Sequence, residues 1–181
     1  MDDPFLQALA PGADLPEAVY ALHRFQGRLQ GRCRIERGRG WLIAALLWLG
    51  RFPSSGRDVP VSLTITRDHG TWVWVRDFGG HVTRSALTFD AKSGTVREQL
   101  GALTLWLSSR RTEEGLAIDI SRLAVGGLPC PRWLLPRSTT TERQDSDGRF
   151  CFDVAAALPF LGRLIRYRGW LQPAKDGTYG F

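Results

Sequence analysis

The sequence predicts a mainly β fold of the α+β class: a curved antiparallel sheet or open β-barrel of about 7–9 strands around a short apolar helix, with an N-terminal helix before it. Three observations carry this. Apolar and polar residues alternate with period two through much of the chain, Gly- and Asp-containing turns recur at short intervals, and the run from Trp41 to Leu49 holds no polar residue. The 181 residues are read as one domain, 1–181, with its core at about 14–173 and loose ends at 1–13 and 174–181.

The elements follow in order. Asp14, Pro16 and Glu17 have the chemistry of a helix start, with Asp14 as cap, and Leu15, Val19 and Leu22 share one helical face. From Arg28 the chain alternates, Leu29, Gly31, Cys33 and Ile35 on one face and Arg28, Gln30, Arg32, Arg34 and Glu36 on the other. The run Trp41 to Leu49 is apolar on every side, so it is placed inside the sheet's curve, where every side is covered, or else against a membrane. Val59, Val61, Leu63 and Ile65 form the clearest strand face, and Asp68, His69 and Gly70 turn the chain. The next strand carries Trp72, Trp74, Arg76 and Phe78 on one face and Val73 and Val75 on the other, which marks it as central. Gly79 and Gly80 turn into a strand over 81–89. The apolar phase then shifts at Gly101, where a β-bulge is expected. Leu116, Ile118 and Ile120 mark a further strand. Residues 126–136, with three prolines and Trp133, read as an apolar loop or lid. Phe150, Phe152 and Val154 share a face, and a last strand covers 164–171.

Composition excludes several classes. The balance of 43% hydrophobic and 23% charged residues is that of a globular domain. The charge of +6 comes almost wholly from arginine, since only Lys92 and Lys175 of 24 basic residues are lysine, and the arginines are dispersed, so no nucleic-acid partner is expected. Cys33, Cys130 and Cys151 have no paired spacing and read as free thiols; with no signal-peptide pattern and no run long enough to span a bilayer, a cytoplasmic location is expected. His23, His69 and His81 stand apart from one another and from cysteine, and no metal is expected.

Polar residues among apolar neighbours supply the candidate site. Arg76 either clamps an anionic ligand or pairs with Glu98, Asp77 or Asp153. Glu98 is a candidate general base or the partner of Arg76, Tyr167 a candidate carbonyl-orienting group or core tyrosine, and His23 a catalytic candidate or a packed helix-end histidine. The tryptophan excess adds Trp41, Trp48, Trp72, Trp74 and Trp133, so the ligand-binding candidates are these five with Arg76 and Tyr167.

Taken together, the runs around Ala21–His23, Arg37–Gly40, Asp58–Val61, Trp74–Gly80, Gly127–Pro131, Gly148–Asp153, Leu158–Gly162 and Tyr167–Trp170 resemble the bacterial family of domains of unknown function known as DUF4166, over about residues 19–171. Members of that family stand alone or are fused behind saccharopine-dehydrogenase-like, nucleotide-binding reductase domains. The resemblance implies a neighbourhood of small-molecule or lipid metabolism and a reductase as partner. It transfers neither catalytic residues nor a cofactor, because no reductase fingerprint is present.

The leading expectation is therefore a mainly β pocket for an apolar or amphipathic, lipid-like molecule, anionic where Arg76 serves as clamp. The alternatives are a metal-free isomerase or cyclase, acting as a tailoring enzyme or reductase accessory, and a peripheral membrane or protein-interaction module working through residues 41–49.

Overall fold

The computed structural model describes residues 2–10, 12–50 and 52–174. Three short helices, α1 (Pro4–Gln7), α2 (Glu17–Leu22) and α3 (Trp41–Leu49), accompany the strands. In chain order the strands are β1 (Gly27–Arg37), β2 (Gly56–Asp68), β3 (Thr71–Phe78), β4 (His81–Asp90), β5 (Thr95–Leu100), β6 (Leu103–Thr112), β7 (Gly115–Val125), β8 (Leu128–Pro129), β9 (Arg137–Ser138), β10 (Thr140–Gln144), β11 (Phe150–Leu158) and β12 (Gly162–Pro173).

Each long strand pairs antiparallel with its neighbour in sequence. β1 also pairs β12, and β10 pairs both β7 and β11, so β1 to β7 and β10 to β12 close into a ten-stranded up-and-down barrel. The two-residue strands β8 and β9 lie on its margin. Closure leaves the ten strands without a free edge, which an open sheet of this length would expose to other chains.

Alternation decides the inner face. Leu29, Cys33 and Ile35 of β1, Val61, Leu63 and Ile65 of β2, Trp72 and Trp74 of β3, Leu87 of β4 and Val96 of β5 are buried in one cluster. Each large aliphatic side chain removed from water contributes roughly 2 kcal/mol. The outward positions of β1 hold Arg28, Gln30, Arg32 and Arg34, all exposed. This polarity is the reverse of a membrane-spanning barrel's. Among the described residues no helix is long and apolar enough to cross a membrane.

The β1–β2, β3–β4, β5–β6, β7–β10 and β11–β12 connections meet at one end, which also carries α3. The other end is crossed by the N-terminal segment, with α1 against β4 and β5 and α2 against β10 and β11.

Several expectations are corrected. The barrel is closed and has ten strands rather than seven to nine. α3 is outside, not enclosed: among its described side chains only Ile43 and Leu47 are buried, while Trp41 and Trp48 are each 79% exposed. Short links tie it to the rims of two adjacent strands, β1 and β2. Gly101 lies in a two-residue turn between β5 and β6, at φ 56°, where no bulge occurs. The bulges fall instead in β1, at Trp106/Leu107 and at Ala156/Ala157. Asp14 is exposed and caps nothing; the α2 N-terminus uses Pro16, and Ala18 N–H donates to Gln144 Oε1 at 2.8 Å. Residues 1–13 are not wholly loose, because Asp3, Pro4 and Phe5 are buried against the barrel. Of the tail, 175–181 lie outside the described residues.

Candidate functional site

The lumen is layered along the barrel axis. Nearest the helical cover, α1 begins at Asp3, whose Oδ1 accepts from Phe5 N–H at 2.7 Å, with Pro4 suited to the first turn. His23, at the end of α2, is fully buried; its Nδ1 lies 3.1 Å from Asp3 Oδ1 and its Nε2 2.7 Å from Glu142 Oε2. Burial alone favours the neutral ring, but the charges of Glu142 and Asp3 outweigh it and push the imidazole up to about 10. Phe5, His23 and Trp74 pack ring against ring above the lumen, with centroids 5.2–5.9 Å apart.

Below this lies the inward row of β3. Trp72 and Trp74 are buried, and neither indole Nε1 has a hydrogen-bond partner in the protein; Asp3 Oδ2 is likewise unpartnered. Arg76 follows, donating to Ser85 Oγ at 2.8 Å and to Glu98 Oε1 at 3.2 Å, with its guanidinium 5.1 Å from the Trp74 ring centroid. Glu98 is thus the partner among the three carboxylates that sequence offered; Asp153 bonds Arg166 on the outside, and Asp77 caps its own turn at Gly80. The Arg76 side chain remains 26% exposed although its position faces inward.

Phe78 ends the row and stacks on Tyr167 of β12 at 5.2 Å. Burial raises the Tyr167 phenol above its ordinary value, opposed by the nearby Arg76 charge. Cys33 is buried beside it, its thiol pushed up to about 11 by burial and by Asp58, which makes it an unreactive thiol.

The structure therefore brings Arg76, Glu98, Trp72, Trp74 and Tyr167 to one inner surface. It places Trp41, Trp48 and Trp133 outside, all well exposed, so these three do not line the lumen. His23 is sealed, with both ring nitrogens engaged. Asp3, Glu142 and Ser85 were not legible as site residues. The signal for Asp3 was the Asp-Pro step that caps α1; Glu142 sits in a polar stretch with no apolar alternation to show which way it faces. Among the described residues no group of three or more His, Cys, Asp and Glu is placed to hold a metal ion. A separate open groove of about 450 Å³ lies on the outer wall of β12, β1, β2 and β3, lined by Arg28, Gln30, Arg32, Asp77 and Trp170 among others.

These features define a closed up-and-down β-barrel domain, capped at one end and lined inside by aromatic and ionic side chains. The chain belongs to the family described as Domain of unknown function (DUF4166), whose profile matches residues 15–171. No curated protein matches it.

Proposed function

We propose that the domain binds a small amphipathic molecule in the lumen, along the inward row of β3. The observation that carries this is the pair of indole N–H groups of Trp72 and Trp74, on successive inward positions, buried and without a protein acceptor. An unmet buried donor costs about 1–3 kcal/mol, so two beside Arg76 favour a ligand whose oxygen atoms accept from them. Barrels slightly smaller than this one already hold either side chains or one small ligand. The ring faces of Trp74, Phe78 and Tyr167 suit the apolar part of such a molecule, and Arg76 its polar or anionic head.

Native mass spectrometry of the purified protein, followed by melting in the presence of fatty acyl, isoprenoid and polyketide mixtures, tests this. A bound mass and an upward melting shift are expected. Trp72→Phe and Trp74→Phe should each weaken binding by roughly fivefold to tenfold while leaving the fold intact. An empty protein that no mixture stabilises, or phenylalanine variants that bind as the wild type does, would overturn the reading.

A further inference from the structure

We infer that the α3 end of the barrel docks on the surface of an anionic lipid bilayer. This stands apart from whatever occupies the lumen. Among the described residues, eleven of the twelve exposed large apolar side chains lie at this end, and only Tyr20 lies at the other. They come from separate connections: Trp41 and Trp48 on α3, Leu128 and Trp133 in the β7–β10 connection, and Phe160 at the β11–β12 turn.

α3 shows how such a surface arises. Ile43 and Leu47 anchor it to the barrel core, yet its opposite side is equally apolar and meets solvent. A water-facing side has no reason to be apolar unless something covers it. Phe160 adds an independent observation. It is a bulky residue at φ 66°, a conformation that costs a side chain of this kind free energy, and it holds its ring 94% exposed.

Charge selects the occupant. The described residues of the connections at this end, 38–50, 52–55, 79–80, 101–102, 126–139 and 159–161, contain no Asp or Glu and three arginines, at 39, 132 and 137. The opposite end is acidic, with Glu113 and Glu114 in the β6–β7 turn, Asp145 and Asp147 in the β10–β11 turn, and Asp2, Asp14 and Glu17 in the N-terminal segment. Two copies meeting through their α3 ends would set arginine against arginine. Copies stacked head to tail would press exposed tryptophans onto carboxylates. A bilayer with anionic headgroups satisfies both features, taking Trp and Phe rings at headgroup depth and pairing phosphates with guanidinium groups.

The test is co-sedimentation of the full chain with vesicles of phosphatidylcholine alone and of phosphatidylcholine containing phosphatidylglycerol. Binding is expected to the mixed vesicles, several-fold weaker to the neutral ones, and to fall with added salt. Trp48→Ser and Phe160→Ser should each weaken binding about tenfold, from the apolar area withdrawn. Arg39→Gln, Arg132→Gln and Arg137→Gln should each weaken binding to the mixed vesicles about fivefold. Glu113→Gln, at the far end, should change nothing. All replaced side chains are exposed or in turns, and unchanged melting confirms that each variant is folded. The inference fails if neither vesicle takes up the protein, or if both do so equally and without regard to salt. It also fails if sedimentation velocity shows self-association that Trp48→Ser abolishes, which would make a second copy the occupant.

Discussion

Nε2 of His23 lies 2.7 Å from Oε2 of Glu142, a contact that joins residues 119 positions apart and ties the N-terminal segment to the barrel wall at β10. On its other side the same ring meets Asp3, so a single imidazole holds α1, α2 and β10 in one buried unit. The elements it joins are too short to be stable alone: α1 has four residues and α2 six. The cover of the barrel therefore depends on tertiary contacts, of which this is the buried ionic one.

That dependence predicts a pH response. The folded His23 is pushed up to about 10, whereas an unfolded histidine titrates near about 6.5. The stabilisation is fully present below about 6.5, where both states hold the proton. Above it the unfolded state releases the proton first, so stability falls as pH rises, by at most about 1.4 kcal/mol per pH unit, until the folded ring also deprotonates near 10. Urea unfolding at pH values across this window should show the decline in the wild type and a flattened slope in His23→Gln. Equal slopes in the two proteins would mean that the buried ring is neutral.

Gly31 of β1 and Gly169 of β12 give a second prediction. A Cβ added at Gly31 would lie 1.8 Å from the Trp170 carbonyl oxygen, and one at Gly169 would lie 2.3 Å from that of Arg32. Both obstacles are backbone atoms, which no side-chain rotation relieves. Gly31→Ala and Gly169→Ala should each cost about 3 kcal/mol or more, measured by urea unfolding. Gly94→Ala offers a contrast: nothing stands within 4 Å of its added Cβ, so only its φ of 66° opposes the change and a smaller loss is expected, about 1 kcal/mol.

The strands were the legible part of this fold because side-chain period two reports directly which face is buried. Val61, Leu63 and Ile65 on β2 and the Trp72 to Phe78 row on β3 alternate as read, and both rows face inward. Two features misled for physical reasons. A phase change at Gly101 follows equally from a bulge and from a two-residue turn, since either one inverts parity. The composition of α3 shows that it is apolar all round but carries no information on what covers it. The site divides in the same way. Arg76 stood out as a charge in an apolar strand and its partner was among three named, because few carboxylates stand among apolar strand residues; Glu98 itself lies two strands away, on β5. The carboxylates beside His23 are 20 and 119 residues distant, and no local pattern connects them.

Arg76 and Glu98 supply the last prediction, because neither is free to change alone. Glu98 is 12% exposed and its carboxylate is held by the Arg76 guanidinium at 3.2 Å, while Arg76 keeps some contact with water. Arg76→Met strands a nearly buried carboxylate. The cost should fall between that of a surface pair and that of a fully buried one, about 2 kcal/mol by urea unfolding. Glu98→Gln keeps an oxygen to accept from the guanidinium and should cost about 1 kcal/mol. The double replacement Arg76→Met with Glu98→Leu removes both charges and substitutes apolar side chains of similar length, so it should unfold within about 1 kcal/mol of the wild type. Recovery in the double variant would show that the pair is kept at little net gain in stability, which is the behaviour of groups retained for what they bind. Purely additive losses would instead mean that each side chain stabilises the lumen through separate contacts, Arg76 through Ser85 and the face of Trp74, and Glu98 through its own packing.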